Sequence, residues 1–216
     1  CLLWNMTFGQ KAVSKEISTL LTEGKPLQEV SLIHFVSNEV TNRSIPLEGL
    51  TKGTIVSIDE VAIEKLLNGN SDFIQLGLPL SERQNLKLNL VRHEIFAEDF
   101  ALYTSSEPGI PFNYTPGVHY KGVVEGDPSS LVAVSVFNNE VMALISTGHG
   151  NMILGRIDND RESRHILYAE NDLDKTSGFD CSTPDDGFGY TEEDLKPQAA
   201  GRDAGDCVRV YIEIDD

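Results

Sequence analysis

Three cysteines and five histidines carry most of the nucleophilic and metal-binding capacity of this 216-residue chain. The histidines stand at 34, 93, 119, 149 and 165, and none is paired at the spacing that presents two ligands to one zinc ion. His93-Glu94-Ile95-Phe96-Ala97 opens like the helix of a zinc protease, but alanine stands where the second histidine is needed. The stretch also follows a strand pattern, so an ordinary surface His-Glu pair is the better reading. Asp158-Asn159-Asp160 opens like a calcium loop, then lacks the glycine at the sixth position and the glutamate at the twelfth, which leaves a solvated turn. There is no Gly-x-Ser-x-Gly elbow, phosphate-binding loop or dinucleotide fingerprint. By themselves these residues support no catalysis. Cys181, inside FDCSTPDDGFGY, keeps three fates open: half of a disulfide, a spare thiol, or a ligand for a metal. Cys207 is an available partner, and a bridge to it would close a loop worth roughly 3 kcal/mol in the unfolded-state entropy model.

The elements that must position these residues are mainly strands. VSLIHFV (30–36) and GTIVSI (53–58) are short runs rich in β-branched residues. SIDEVAIEKLLNG is the one expected helix, with Ser57 as cap, Glu60 reaching back to it, and Ile58, Val61, Ala62 and Leu66 on one side. LKLNLVRHEIFA (86–97) alternates with the period of a half-exposed strand, and FALYTS follows closely. Residues 117–157 form the most regular stretch, an antiparallel meander. Strands are expected around Val118–Val124, Leu131–Phe137, Val141–Ser146 and Asn151–Ile157, with turns at Gly126-Asp127-Pro128 and Asn138-Asn139. HILYAEN (165–171) follows as a closing strand. From Asp172 to Asp206 periodicity stops and acidic, Gly, Pro, Ser and Thr residues dominate, the composition of a linker. CVRVYIEIDD (207–216) then alternates cleanly, as the first strand of a further domain would.

Charge narrows the partners. The formal net charge is −17, and residues 158–216 hold 17 Asp and Glu against 6 Lys and Arg. An acidic chain is a poor match for nucleic acid or an anionic membrane, whose attraction requires a basic face. CLLWNMTFGQ reads as the apolar end of a secretory leader cut near Gly9 or Gln10, with a short buried strand as the other reading. A lipid-modified Cys1 is disfavoured, because apolar residues follow it where a polar tether belongs. No other stretch has the apolar length of a membrane span. The expected location is therefore extracellular, where disulfides are permitted.

HYKGVVEGDPSSLVAVSVFNNEVMALISTGHGNMIL (119–154) resembles the most recognisable block of the propeptide of reprolysin-type zinc metalloproteases, the adamalysin and snake-venom metalloprotease family. In that family a strand carrying His-Tyr-x-Gly-x-Val-x-Gly precedes Pro-x-Ser, a small-residue strand, and a third strand ending near Gly-x-Gly. NLVRHEIFAEDFALY (89–103) is similar to the family's paired strands; the likeness is good over 86–157 and loose over 30–85. The physics of the block stands apart from the family: Gly122 and Gly126 suit close strand approach or a bulge, and His119 and Tyr120 read as structural.

The resemblance implies a mainly-β (α+β) chain. Its parts would be a leader remnant (1–10), an antiparallel β-sandwich or barrel-like propeptide with one short helix (11–171), an acidic linker (172–206) and the opening strand of a metalloprotease domain (207–216). It further implies that the Cys181 thiolate takes the open position on zinc held in that protease domain, direct coordination deprotonating the sulfur despite the nearby aspartates. Ser182 stands where the family has glycine, and Cys207 would pair within the protease domain. The segment itself would hold no cofactor. Its partners would be its own protease domain and an activating protease, for which Arg202 is the candidate processing residue; Lys196 precedes a proline and no multibasic site occurs. The other reading is a noncatalytic extracellular β-domain that binds glycans or proteins.

Overall fold

A computed structural model describes residues 8–38, 49–104, 106–107 and 109–173. All of them fall in the first of the two units into which the chain divides, 1–177. Helix α1 (Phe8–Thr22) is followed by β1 (Gln28–Val30), β2 (Ile33–Ser37), β3 (Thr54–Ile58), helix α2 (Glu60–Asn68), β4 (Phe73–Ser81) and β5 (Gln84–Arg92). The meander follows as β6 (Val118–Val124), β7 (Asp127–Phe137), β8 (Glu140–Thr147) and β9 (Gly150–Arg156), and β10 (His165–Ala169) leads into a short 3-10 turn at Glu170–Asp172. The strands form one curled sheet in the order β1-β4-β5-β6-β7-β8-β9-β10-β3-β2, rather than the two sheets of a sandwich.

The curl brings the two ends of the sheet together. β1 pairs in parallel with β4 at one end and β2 pairs antiparallel with β3 at the other, and only Ser31 and Leu32 separate them. The run expected as one strand over 30–36 is thus a kinked ribbon serving both ends, pinned by a fully buried Leu32. The Asn38 amide and the Thr54 hydroxyl both donate to the Leu80 carbonyl, at 3.1 and 2.8 Å, tying the ends across the gap. Period-two alternation sends Leu76, Leu78, Leu88, Leu90, Val132, Val134 and Ile145 to the concave side, where they form the main core. Ile63 and Leu66 of α2 join that core, so α2 plugs one end of the curl.

Helix α2 starts two residues later than expected. Ser57 stays in β3 paired with His34, and Asp59 is the cap, its carboxylate accepting from the Ala62 N–H at 3.0 Å. Leu66 of the expected face is buried and Ile58 and Ala62 pack against the core, but Ile63 takes the place of Val61, which is 77% exposed.

A second helix, α1, joins the single one expected. It places Val13, Ile17 and Leu20 on one stripe against Phe73, Val91 and Val123, on the convex face of the sheet. It ends in a Schellman motif: Gly24 takes φ +68°, Lys25 N–H donates to Leu20 O and Gly24 N–H to Leu21 O. Among the described residues no helix is long and apolar enough to cross a membrane.

Candidate docking surface

Four of the hairpins turn in two residues, whereas the connection from β5 to β6 takes residues 93–117 and contains no helix or strand among the described residues. The strand expected over 86–97 stops at Arg92, and the described residues of FALYTS, 100–104, form no strand. A structureless excursion of that length inside a packed domain is ordinarily a binding loop or a linker. Here it is folded against the sheet. His93 N–H donates to His119 O at 2.8 Å, and Phe112 N–H donates to Leu102 O at 2.7 Å, doubling the loop back on itself. Phe96 is the anchor: its ring centroid lies 4.3 Å from Phe100, 6.2 Å from Tyr114 and 5.7 Å from His119, and His119 in turn meets Phe137 at 5.9 Å. Tilted and edge-on rings at these separations hold one another in place.

Anchored from below, the loop turns other apolar groups outward. Ile95, Leu102, Tyr103, Ile110 and Phe112 are exposed, and Phe100 and Tyr114 partly so despite their ring contacts. The surface continues onto the sheet. His119, Ser135 and Met142 are successive partners across β6, β7 and β8, so they share the convex face, and Met142 and Leu144 are 48% and 50% exposed. Exposed apolar side chains gathered on a long loop and on the convex face of the strands beside it mark an interaction site.

His119 holds the loop to the sheet. Its Nδ1 is 2.9 Å from the Ser135 hydroxyl, while its buried Nε2 has no hydrogen-bond partner among the described residues. The unpartnered nitrogen suits the neutral ring, and burial lowers the pKa below the ordinary histidine value, with Glu94 opposing and His93 assisting. A Ser-His pair here resembles half of a catalytic triad, yet the ring is wedged between Phe96 and Phe137 rather than opened to a cleft, so it serves as a clasp. Tyr120 points the other way, into the core. Its hydroxyl donates to Ser71 O at 3.0 Å, and burial pushes its pKa up to about 12.

A second concavity lies at the end of the curl opposite α2, a cavity of about 740 Å³. Leu86, Val124, Met152 and Ala169 line it, with Ser129, Thr147, Asn151 and Asn171 around them.

The residues singled out in the sequence divide sharply. Cys181, Cys207 and the processing candidate Arg202 lie outside the described residues, as do the acidic linker beyond Leu173 and the final strand. Residues 8–10 of the leader segment lie within α1, and 1–7 are outside the described residues. Glu94 is hydrogen-bonded to Arg92 at 3.1 Å in non-helical backbone, which suits an ordinary surface pair rather than a zinc helix. Among the described residues no group of three His, Cys, Asp or Glu converges as a metal site would.

The Asp158-Asn159-Asp160 turn is held by an ion pair. Arg164 donates to Asp160 through Nη2 at 2.7 Å and Nε at 3.1 Å, and these bonds hold the carboxyl pKa down at about 2. With the native value depressed, the stability from this group is present above the unfolded carboxylate range and is lost as pH falls from about 4 to about 2. Solvent screening at the periphery discounts the pair to the order of 1 kcal/mol. Asp160→Asn is therefore expected to lower stability by about that amount at pH 7 and to flatten the acid limb of the profile, measured by urea denaturation between pH 5 and 2.

Of the loop residues that form this surface, Ile95, Phe100, Leu102 and Tyr103 stand in stretches that read as strand, and Ile110, Phe112 and Tyr114 follow neither helical nor strand period. The available signal was the density of Phe, Tyr and Ile between Pro108, Pro111 and Pro116, with four acidic residues and no Lys or Arg over 93–117. No protein-family model matches the chain, and no curated protein matches it.

Proposed function

We propose that this chain is the pro-region of a secreted zinc metalloendopeptidase, assisting the protease domain to fold and keeping it latent, with the Cys181 thiolate as zinc ligand. The observation that carries the reading is where the resembling block falls in the fold. Residues 119–154 occupy four consecutive strands at the centre of the sheet, with Gly122 at a close strand approach and Gly126 at φ +79° in the following turn. The aromatic loop shares residues 93–103 with the upstream resembling stretch and offers a protein partner an anchored apolar face. The acidic segment after the sheet carries the thiol, and tethering to the protease raises its effective concentration at the metal. Zinc, held by the protease domain, polarises the attacking water; a thiolate in that water's place stops hydrolysis. Cleavage near Arg202 by an activating protease would end the tether.

The test is inhibition. Sequencing the gene beyond the codon for Asp216 is expected to reveal a His-Glu-x-x-His helix, and this chain is expected to inhibit that endopeptidase when added to it. Cys181→Ala should weaken inhibition at least about tenfold, a loss of 1.4 kcal/mol or more. Equal inhibition by the variant, or a Cys181–Cys207 disulfide in the secreted precursor, would remove the thiol mechanism; failure to bind the protease would remove the escort reading. In that last event the noncatalytic glycan- or protein-binding domain gains, and the cavity rimmed by hydroxyl and amide side chains favours it.

A further inference from the structure

We propose that the apolar surface made by Phe100, Ile110, Phe112, Tyr114, Met142 and Leu144 docks a cationic protein segment that carries its own apolar anchors. The apolar part of the argument is the exposure of these side chains on one side of the sheet and its long loop. The charge around them selects among occupants. The loop holds Glu94, Glu98, Asp99 and Glu107 with no Lys or Arg, and Glu140 stands opposite Phe137 at the edge of the same face. Of the cations on the flanking strands, Arg92 is paired with Glu94 and Lys121 with Glu16 of α1 at 3.2 Å, while Arg156 lines the same hollow as Phe137 and Glu140.

Three other occupants meet like charge. A second copy of the chain brings another net −17. The chain's own residues 174–216 hold 12 Asp and Glu against 4 Lys and Arg. An anionic lipid surface is repelled on the same ground. A partner that interleaves Lys or Arg with Leu, Phe or Ile satisfies both the apolar face and its acidic rim, and complementary charge quickens its encounter. Within the escort reading such a segment would belong to the protease. The inference needs only that a protein partner exists, and its test uses no protease.

Calorimetric titration of the whole chain would use three synthetic peptides of equal length: one alternating Lys with Leu and Phe, one with Glu for every Lys, and one with Ser for every Leu and Phe. The Lys-Leu-Phe peptide is expected to bind, to weaken as salt is raised from 50 to 300 mM, and to protect the amides of residues 95–114 and 140–146 from hydrogen exchange. The other two peptides should bind at least about tenfold more weakly. Phe112→Ser with Leu144→Ser alters exposed positions only, so the fold should survive, as circular dichroism would check, while affinity drops at least about tenfold. Glu98→Lys with Glu107→Lys should reduce affinity with the apolar face intact. Equal binding of the Lys-Ser peptide would reduce the interaction to net charge and overturn the proposal. So would unchanged affinity in the Ser variant, equal binding of the Glu peptide, or self-association of the chain through this face. Peptide binding with no protease inhibition would leave the docking surface standing and remove the escort reading; the reverse would do the opposite.

Discussion

Gly122→Ala is expected to destabilise the fold by about 3 kcal/mol or more, although it adds a single methyl group. Gly122 lies in β6 between Leu90 of β5 and Val132 of β7. A Cβ built there would sit 2.0 Å from the Asn89 carbonyl oxygen and 2.9 Å from both the Asn89 carbonyl carbon and the Leu90 Cα. Those are backbone atoms of the neighbouring strand, so no side-chain rotation relieves the overlap. β5 and β6 must separate, and the ladder between them is what orients the long loop. For a domain of this size each kcal/mol moves the melting temperature by about 2–4 °C, so a drop of about 10 °C is expected. Gly155→Ala in β9 is the control: nothing lies within 4 Å of its Cβ, and stability should change by less than about 0.5 kcal/mol. Urea denaturation of the three proteins measures both. A loss below about 1 kcal/mol at Gly122 would mean that the strands do not approach as described.

Gly122 is also where sequence and structure agree best, because only a backbone requirement explains a glycine between apolar strand residues. The four strands of the meander were legible for a related reason. Their alternation faces solvent on one side, and Asn138-Asn139 and Gly126 punctuate it where the hairpins turn. β4 carries Ile74, Leu76, Leu78 and Leu80 at strand period with Gln75, Gly77 and Pro79 between them, so its alternation is readable, although Gly77 and Pro79 are residues that ordinarily mark turns. The stripe of Val13, Ile17 and Leu20 in α1, stopped by Gly24, was readable. The apolar run 1–10, whose composition suggests a leader, adjoins it and masks it. The division of 28–37 between the two ends of the sheet leaves no local mark, since β1 and β2 are alike in residue type and only the curl decides which neighbour each meets. The docking surface is the hardest part to read. It depends on which aromatic rings are anchored and which are left outward, and that is settled by Phe96, His119 and Phe137 meeting from three separate segments.

His165 sets a second large effect, with a signature in pH. It is fully buried in β10, where Nε2 accepts from the Val141 N–H at 3.1 Å, so Nδ1 carries the proton and donates to Ser163 O at 3.1 Å. His165→Ala leaves a cavity and an N–H in β8 without its acceptor, and is expected to cost about 3–5 kcal/mol at pH 7.5. The wild-type ring has no room for a second N–H where Val141 already donates, and burial lowers its pKa. With the native value below that of the unfolded chain, the unfolded state binds more protons as pH falls under about 6.5. The stability held above that pH is therefore lost on acidification, at up to about 1.4 kcal/mol per pH unit for this group, until the native ring itself is protonated. His119, shifted in the same direction, adds to the slope in the same window, while the Asp160 pair acts only below about pH 4. Urea midpoints at pH 7.5, 6.5, 5.5 and 5.0 should thus fall steadily for the wild type and less steeply for His165→Ala. Identical slopes would place the titration elsewhere, since the substitution removes the buried His165 ring and leaves the half-buried His119 in place.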